Sequence, residues 1–409
     1  LSNQILIYTP KSTNRILYVL NFIWKDFSGL ELDFTNDATY FQSVRKPKIN
    51  CSNNLFEFCL NLSLDEILLE NHIHHQIDYQ SLTSLGKIFY WLSRYEEYVA
   101  TENQFDEHHR FLGSNLDYSS PIVDELIINL QKQLKAIFPE IELKKNQFKQ
   151  INTHDVDFTW KYLHQPLSKQ ILRFGKNLLK LNFNEIQEQI SILTKQKKDP
   201  YDQFNYLKSK AEQHQIETIF FWLLADKNQF DKNIDWTNQY QKNKVLECAK
   251  WAKIGIHPSY ASNEQNELLT IEINRLEEII QKKVTKSRQH YIRLNFPKTY
   301  HNLITNKINE DFTMGFAHKT GFRAGTSHAF FWFDLEQNVV TNLKIYPFIL
   351  MDVTLRNYLK LSPTEATKEI ADLKQKVKAV NGNFITLFHQ SNFSNEWQDW
   401  KKVYESNLE

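Results

Sequence analysis

The stretch ETIFFWLLAD (217–226) holds seven consecutive apolar residues, 219–225, before it closes on an aspartate. A strand with one wet face alternates apolar and polar residues, and this run does not. It is therefore expected to be dry on both faces, as in a parallel sheet covered by helices. Other short strand candidates are AKIGIHP (252–258), VTKSRQHYIRL (284–294), LKIYPFILMD (343–352) and NFITLFH (383–389). Helical patterns fall between them. Leu269, Leu276 and Ile280 share one face of a helix over 263–283, and Ser362-Pro363-Thr364-Glu365 opens another as a capping box with proline at its first position. This alternation predicts an α/β chain, with a parallel sheet or (β/α) barrel.

The 409 residues exceed the usual single-domain size, so two domains are expected. The polar stretch PEIELKKNQFKQ (139–150) is the best boundary, giving domains 1–145 and 146–409. The first reads as a smaller mixed α/β unit. It contains an amphipathic helix over 81–99 and a second that starts at Ser119-Ser120-Pro121 and runs through Phe138. Tyr95, Glu96 and Glu97 fall on the first of these, where they read as core and solvated faces.

Lys plus Arg (49) and Asp plus Glu (48) nearly cancel, so no basic field points to nucleic acid. Cys51, Cys59 and Cys248 show no CxxC spacing, which excludes a disulfide framework or thiolate zinc site. No apolar run reaches the roughly 18 residues of a membrane span. The opening LSNQILIYTPK is too weakly apolar for a signal peptide, and its first residue is Leu, as after removal of an upstream segment. Reduced thiols and the missing signal lead to a cytoplasmic expectation. With nine glycines in the whole chain, neither GxGxxG nor a P-loop occurs.

Chemically useful residues stand where the strand candidates end: Asp155 and Asp157 in THDVD, His257, Asp352 and His389. Parallel α/β barrels build active sites at such ends, so residues far apart in sequence can converge there. Of two carboxylates one residue apart, one can bind a divalent metal while the other serves as a base toward water. A neutral imidazole such as His257 suits zinc or another late first-row metal. His389 can protonate a leaving group, and Arg288 can orient a carboxylate. These parts describe metal-assisted hydrolysis of an acyl bond.

In this order the segments resemble the NodB-type polysaccharide deacetylases, over roughly residues 148–395. THDVD (153–157) is similar to their first motif, GIHPSY (255–260) falls at their H-x-x-x-H, SRQHY (287–291) resembles R-x-P-Y, and ITLFHQ (385–390) resembles the last motif. TMGFAHKTGFRAGTS (313–327) also resembles a segment common in the family. The resemblance implies a distorted (β/α) barrel that removes acetyl groups from N-acetylated, or O-acetylated, sugars of a polysaccharide. It implies a divalent metal, zinc first, with cobalt, nickel or manganese as alternatives. Carried over, Asp155 is the base, Asp157 and His257 are metal ligands, and Arg288 braces the base. Tyr291 contributes its backbone to an oxyanion hole, His389 is the general acid with Asp352 as its partner, and Arg323 faces the sugar. The N-terminal unit, with LSRYEEYV and DEHHRF, is similar to a domain of unknown function found before such catalytic domains.

The histidine pair is broken: counted from His257, its partner position holds Ala261 or Lys253. His290 is the expected substitute ligand, ahead of His154 and His328. The broken pair also keeps open a catalytically impaired, carbohydrate-binding or assembly role. A third reading takes Asp155-Val156-Asp157-Phe158-Thr159 as the DxDxT of a Mg-dependent phosphatase, with Asp226 and Asp231 as later metal acids. Finally, SKQILRFGKNLLKLNFNEI (168–186) places Lys169, Arg173, Lys176 and Lys180 beside Ile171, Leu172, Leu178 and Leu179. That pattern fits either a barrel helix or peripheral contact with a membrane.

Overall fold

The computed structural model describes residues 3–409 and has a mixed α/β fold with two sheets. The first sheet has strands β1 (Gln4–Tyr8), β2 (Glu31–Thr35), β3 (Lys48–Cys51) and β4 (Leu60–Leu62), in the order β2-β1-β3-β4 and parallel throughout. The second has β5 (Lys149–Val156), β6 (Glu217–Trp222), β7 (Lys253–Ile256), β8 (Lys286–Ser287), β9 (Glu310–Asp311), β10 (Phe330–Asp334), β11 (Val339–Ile345), β12 (Leu350–Met351) and β13 (Asn383–His389). Its order is β10-β11-β9-β8-β7-β6-β5-β13-β12, and every pairing is parallel except the β10–β11 hairpin.

Of the dry run at 217–226 only Glu217–Trp222 forms the inner strand β6, with Phe220, Phe221 and Trp222 fully buried, and the chain stays buried outside the sheet up to Ala225. Truncating any of these rings costs about 3–5 kcal/mol in transfer and cavity terms. Ile151, Ile219, Phe221, Ile385 and Leu387 pack with Phe312 and Phe348 in one cluster, while Phe220, Trp222 and Phe388 belong to the larger core beneath the helices. The period of two along each strand thus divides two cores. Among the described residues the strand ladder does not close on itself, and β10 and β12 are its edges. β9 is paired on both sides, and Tyr346 N–H to the Asp311 carbonyl belongs to its pairing with β11; beyond it Phe348 N–H bonds the Met314 carbonyl and Ile349 N–H the Ile385 carbonyl of β13.

Several expected elements take a different form. The helix expected over 81–99 stops at Leu92, because Arg94 adopts a left-handed conformation (φ 55) and a separate turn follows at Tyr95–Tyr98. VTKSRQHYIRL pairs only over Lys286–Ser287, and LKIYPFILMD is divided between β11 and β12 on either side of Pro347. Glu96 and Glu97 are not solvated but 3% and 7% exposed. Arg94 binds both, at 2.6 and 2.8 Å, and Arg323 from beyond β9 takes the Glu97 carboxylate with two nitrogens. Burying two acids demands this pairing, since an unpaired buried charge is strongly unfavourable. Cys51, Cys59 and Cys248 are free and buried.

Candidate metal centre

Strand alternation turns Thr153 and Asp155 to one face of β5, and Asp157 follows its end. Register then gathers the rest. Asp155 stands opposite His389 of β13, His257 follows the last residue of β7, Arg288 the last of β8, and Asp352 the last of β12. All lie at the carboxyl ends of parallel strands. There they meet a cavity of about 310 Å³ lined by Asp155, Asp157, His257, His290, Tyr291 and His389, among others.

His257 is buried, and its Nδ1 lies 2.6 Å from the Arg288 carbonyl. That carbonyl accepts, so Nδ1 carries the hydrogen and Nε2 presents a lone pair. The lone pair faces Asp157 Oδ1 at 3.3 Å and Asp155 Oδ2 at 3.7 Å. His290 is arranged the same way: its Nδ1 bonds Asp231 Oδ1 at 2.7 Å, leaving Nε2 3.9 Å from Asp157 Oδ2. Asp157, His257 and His290 therefore offer three ligand atoms within 4.8 Å of one another. Asp157 Oδ1 is buried with no hydrogen bond of its own. Converging lone pairs with no donor between them fit a cation, and one carboxylate with two imidazoles suits zinc. Burial opposes charge on these groups, yet the imidazoles hold Asp157 well below the usual carboxylate range. Burial likewise opposes a charged His257, and Asp155 and Asp157 nonetheless raise its pKa.

Asp155 is held by Arg288, whose Nη1 donates to Asp155 Oδ1 at 3.1 Å and to the Thr153 hydroxyl at 2.6 Å. The guanidinium is fully buried, its Nε bonded to the Phe312 carbonyl and its plane 4.7 Å from the Phe221 ring centre. Across the cavity, His389 Nδ1 bonds Asp352 Oδ1 at 2.8 Å, while Asp352 Oδ2 accepts from the His389 N–H and from Asn392 Nδ2. Its Nε2 faces the cavity, 3.8 Å from Asp157 Oδ2. Burial disfavours the imidazolium here, but Asp352, Asp157 and Asp155 outweigh it and push His389 up to about 10. Tyr291 lines the cavity with its backbone left-handed (φ 62), as is the next residue, Ile292 (φ 57).

Arg323 does not face this cavity. It is buried against Glu97 and the Gly315 carbonyl, because an arginine at that depth needs a carboxylate. His154 points to the opposite side of β5, among Phe220, Phe393 and Tyr404, and burial pushes its pKa down to about 3. His328 lies beside Phe27 and the Val380 carbonyl, away from the cluster. Of the phosphatase acids, Asp226 is turned out to Arg275, while Asp231 is buried against His290. Thr159 donates to Gln241. A second group of possible ligands, Glu70, His72 and His74, sits on a partly exposed segment of the N-terminal part.

Three contributors escaped the sequence reading of the site. Asp231 appears there only in the phosphatase alternative; its role as the partner of His290 depends on a loop without regular structure. Arg110 lines the cavity and donates to Tyr358 Oη at 3.0 Å, and the ring of His108 lies 4.8 Å from that of Tyr291. Both belong to DEHHRF, so the N-terminal part forms a wall of the cavity. The available signal was the crowding of that motif with imidazoles and a guanidinium.

Residues 5–139 match the model of a family of unknown function (DUF7033). No curated protein sequence matches the chain. Among solved structures it is similar to a Mycobacterium smegmatis protein assigned as a polysaccharide deacetylase, at 12% identity and a TM-score of 0.41, over 64% of this chain and 85% of that one. It is also similar to a mutant of BA3943, described as a CE4-family pseudoenzyme, at 8% identity and TM-score 0.31 over 64% of each chain. A third likeness is to the Xyl-CE4 domain of a multidomain xylanase from the hindgut metagenome of Trinervitermes trinervoides, at 10% identity and TM-score 0.29, over 64% and 82%.

Proposed function

We propose that this protein is a metal-dependent hydrolase that removes acetyl groups from N- or O-acetylated sugars of a polysaccharide. In this reading residues 146–409 are the catalytic domain and 1–145 a domain that walls its cleft. The observation that carries it is the convergence of Asp155, Asp157, His257, His290 and His389 on one cavity. The acetyl-sugar substrate comes from the motif resemblance, and the aromatic lining of Phe158, Phe230, Tyr291 and Tyr358 suits the faces of sugar rings.

Asp157, His257 and His290 would hold the metal, with zinc favoured by the donor set and cobalt, nickel or manganese as substitutes. Bound there, a cation would supply Lewis acidity toward an acyl carbonyl and an attacking water. Asp155, oriented by Arg288, takes the proton from the attacking water. The Tyr291 backbone faces the oxygen on which negative charge develops. His389, held protonated by Asp352, gives its proton to the departing sugar nitrogen or oxygen.

Elemental analysis of purified protein tests the metal assignment. Because Glu70, His72 and His74 form a second possible group, it is done in a His72→Ala/His74→Ala background. One equivalent of metal is expected there, lost on adding His257→Ala. Equal metal with and without His257→Ala removes this centre, and with it the proposed hydrolysis.

A further inference from the structure

The helix Leu167–Leu179 is amphipathic with its faces reversed. Leu167, Ile171, Phe174 and Leu178 form one stripe at helical spacing, and every one of them is exposed. Beside that stripe Leu172 is 73% and Leu179 88% exposed. The buried side chain of the helix is polar, Gln170, which accepts from Gln189 Nε2 at 3.0 Å. A surface helix ordinarily turns its apolar stripe to the core and its polar face to water. The next helix, Phe183–Leu193, extends the patch with Phe183, Ile190 and Leu193, and Leu181 joins the two. A methyl group added at Gly175 would meet nothing within 4 Å. A contiguous apolar surface of this kind marks an interaction site.

Charge indicates what covers it. Residues 165–198 hold seven Lys and Arg against two Glu, a net +5 in a chain whose total is +1. Lys176, Lys180, Lys195, Lys197 and Lys198 are exposed, whereas Glu185 and Glu188 are both tied to Lys161. Lys169 lies in the field of Lys227 and Lys232, and Lys232 lines the cavity of Asp155 and His257, so positive charge runs from the helix to the cleft. A second copy of this chain seated symmetrically on the patch would set lysine against lysine. An anionic lipid surface satisfies both features at once: acyl chains receive the leucines and phosphates the lysines.

We propose that the hairpin of helices Leu167–Leu179 and Phe183–Leu193 docks the protein on anionic membranes. The inference stands independently of the hydrolase reading. Its test is flotation of the full chain with vesicles of phosphatidylcholine and phosphatidylglycerol in equal parts, against phosphatidylcholine alone. Binding is expected to the mixed vesicles only, weakened roughly fivefold by each of Lys176→Gln and Lys180→Gln and suppressed by high salt. The Leu172→Ser/Leu179→Ser variant, which alters exposed positions and is checked for unchanged circular dichroism, should no longer float. Failure of the unaltered chain to float with mixed vesicles overturns the proposal, as does undiminished flotation of the serine variant. A dimer in sedimentation that the serine variant splits overturns it in favour of a second copy.

Discussion

His290 stands second after Arg288, in the place where the R-x-P-Y motif that SRQHY resembles has proline, and its proposed use as a metal ligand depends on Asp231. The Asp231 carboxylate accepts from His290 Nδ1, fixing the ring so that Nε2 faces Asp157. An asparagine keeps the shape but loses the charge that makes the imidazole a stronger donor. Asp231→Asn is therefore expected to weaken metal affinity by roughly 10- to 100-fold, read by chelator competition. A change in affinity below threefold would leave Asp231 as scaffold alone. Asp155→Asn separates the other two roles in THDVD. It preserves the contact with Arg288 but cannot take a proton, so metal content should be unchanged while turnover of an acetylated sugar falls roughly 10²- to 10⁴-fold. Full turnover in that variant contradicts the base assignment. Asp155, Asp157, His257 and His389 were legible because each stands where a strand candidate ends. Asp231 was not, since a loop position carries no periodicity to place it.

The elements whose ends are written in their own residues are those that match expectation. Ser362 accepts from the Glu365 N–H, and Glu365 accepts from the Ser362 N–H at 2.8 Å, so the helix Pro363–Ala379 begins where the capping box puts it. Ser362→Ala should cost about 1 kcal/mol of unfolding free energy, measured by denaturant titration. VTKSRQHYIRL is the opposite case. Its apolar and polar residues read as a strand, but pairing stops at Ser287 and the chain turns over His290–Ile292. Tyr291 and Ile292 both have left-handed φ there, which is unfavourable for any side chain and most so for a β-branched one. Such strain survives only where packing over-determines it, and here it turns His290 and Tyr291 into the cleft. Periodicity reports the average demand of burial along a segment; it cannot report a local turn imposed by a site.

At the scale of the whole molecule, the two motifs that mark the N-terminal part, LSRYEEYV and DEHHRF, both reach side chains from beyond residue 145. The second supplies Arg110 to the cleft. The first supplies Glu97, which Arg323 clasps from across the chain at 3.0 and 2.6 Å. Removing one charge from this buried network leaves its guanidinium partners underpaired, so Glu97→Gln should destabilise the protein by about 3–5 kcal/mol in denaturant unfolding. Burial works against the Glu97 carboxylate, but Arg323 and Arg94 hold its pKa below the ordinary value. The stability it contributes is therefore present above the usual glutamate range and is lost as the pH falls through the lowered pKa. The acid side of the stability profile should be shallower in Glu97→Gln; an unchanged profile would assign the acid loss to other carboxylates.

Sequence alone determined the α/β class, the inner strand within 217–226 and the strand ends that carry acid or imidazole, because burial imposes a local pattern that neighbours in the chain must obey. It also marked a basic amphipathic helix over 168–186, though neither its division between Leu167–Leu179 and Phe183–Leu193 nor which way its leucines faced. Only the tertiary structure decided that His290 stands beside His257 and that Asp231 stands behind it. It also decided that Arg323 serves a buried ion pair and that the N-terminal part walls the cleft. Those outcomes depend on which side chains from distant segments reach the same point, and no local pattern encodes that distance.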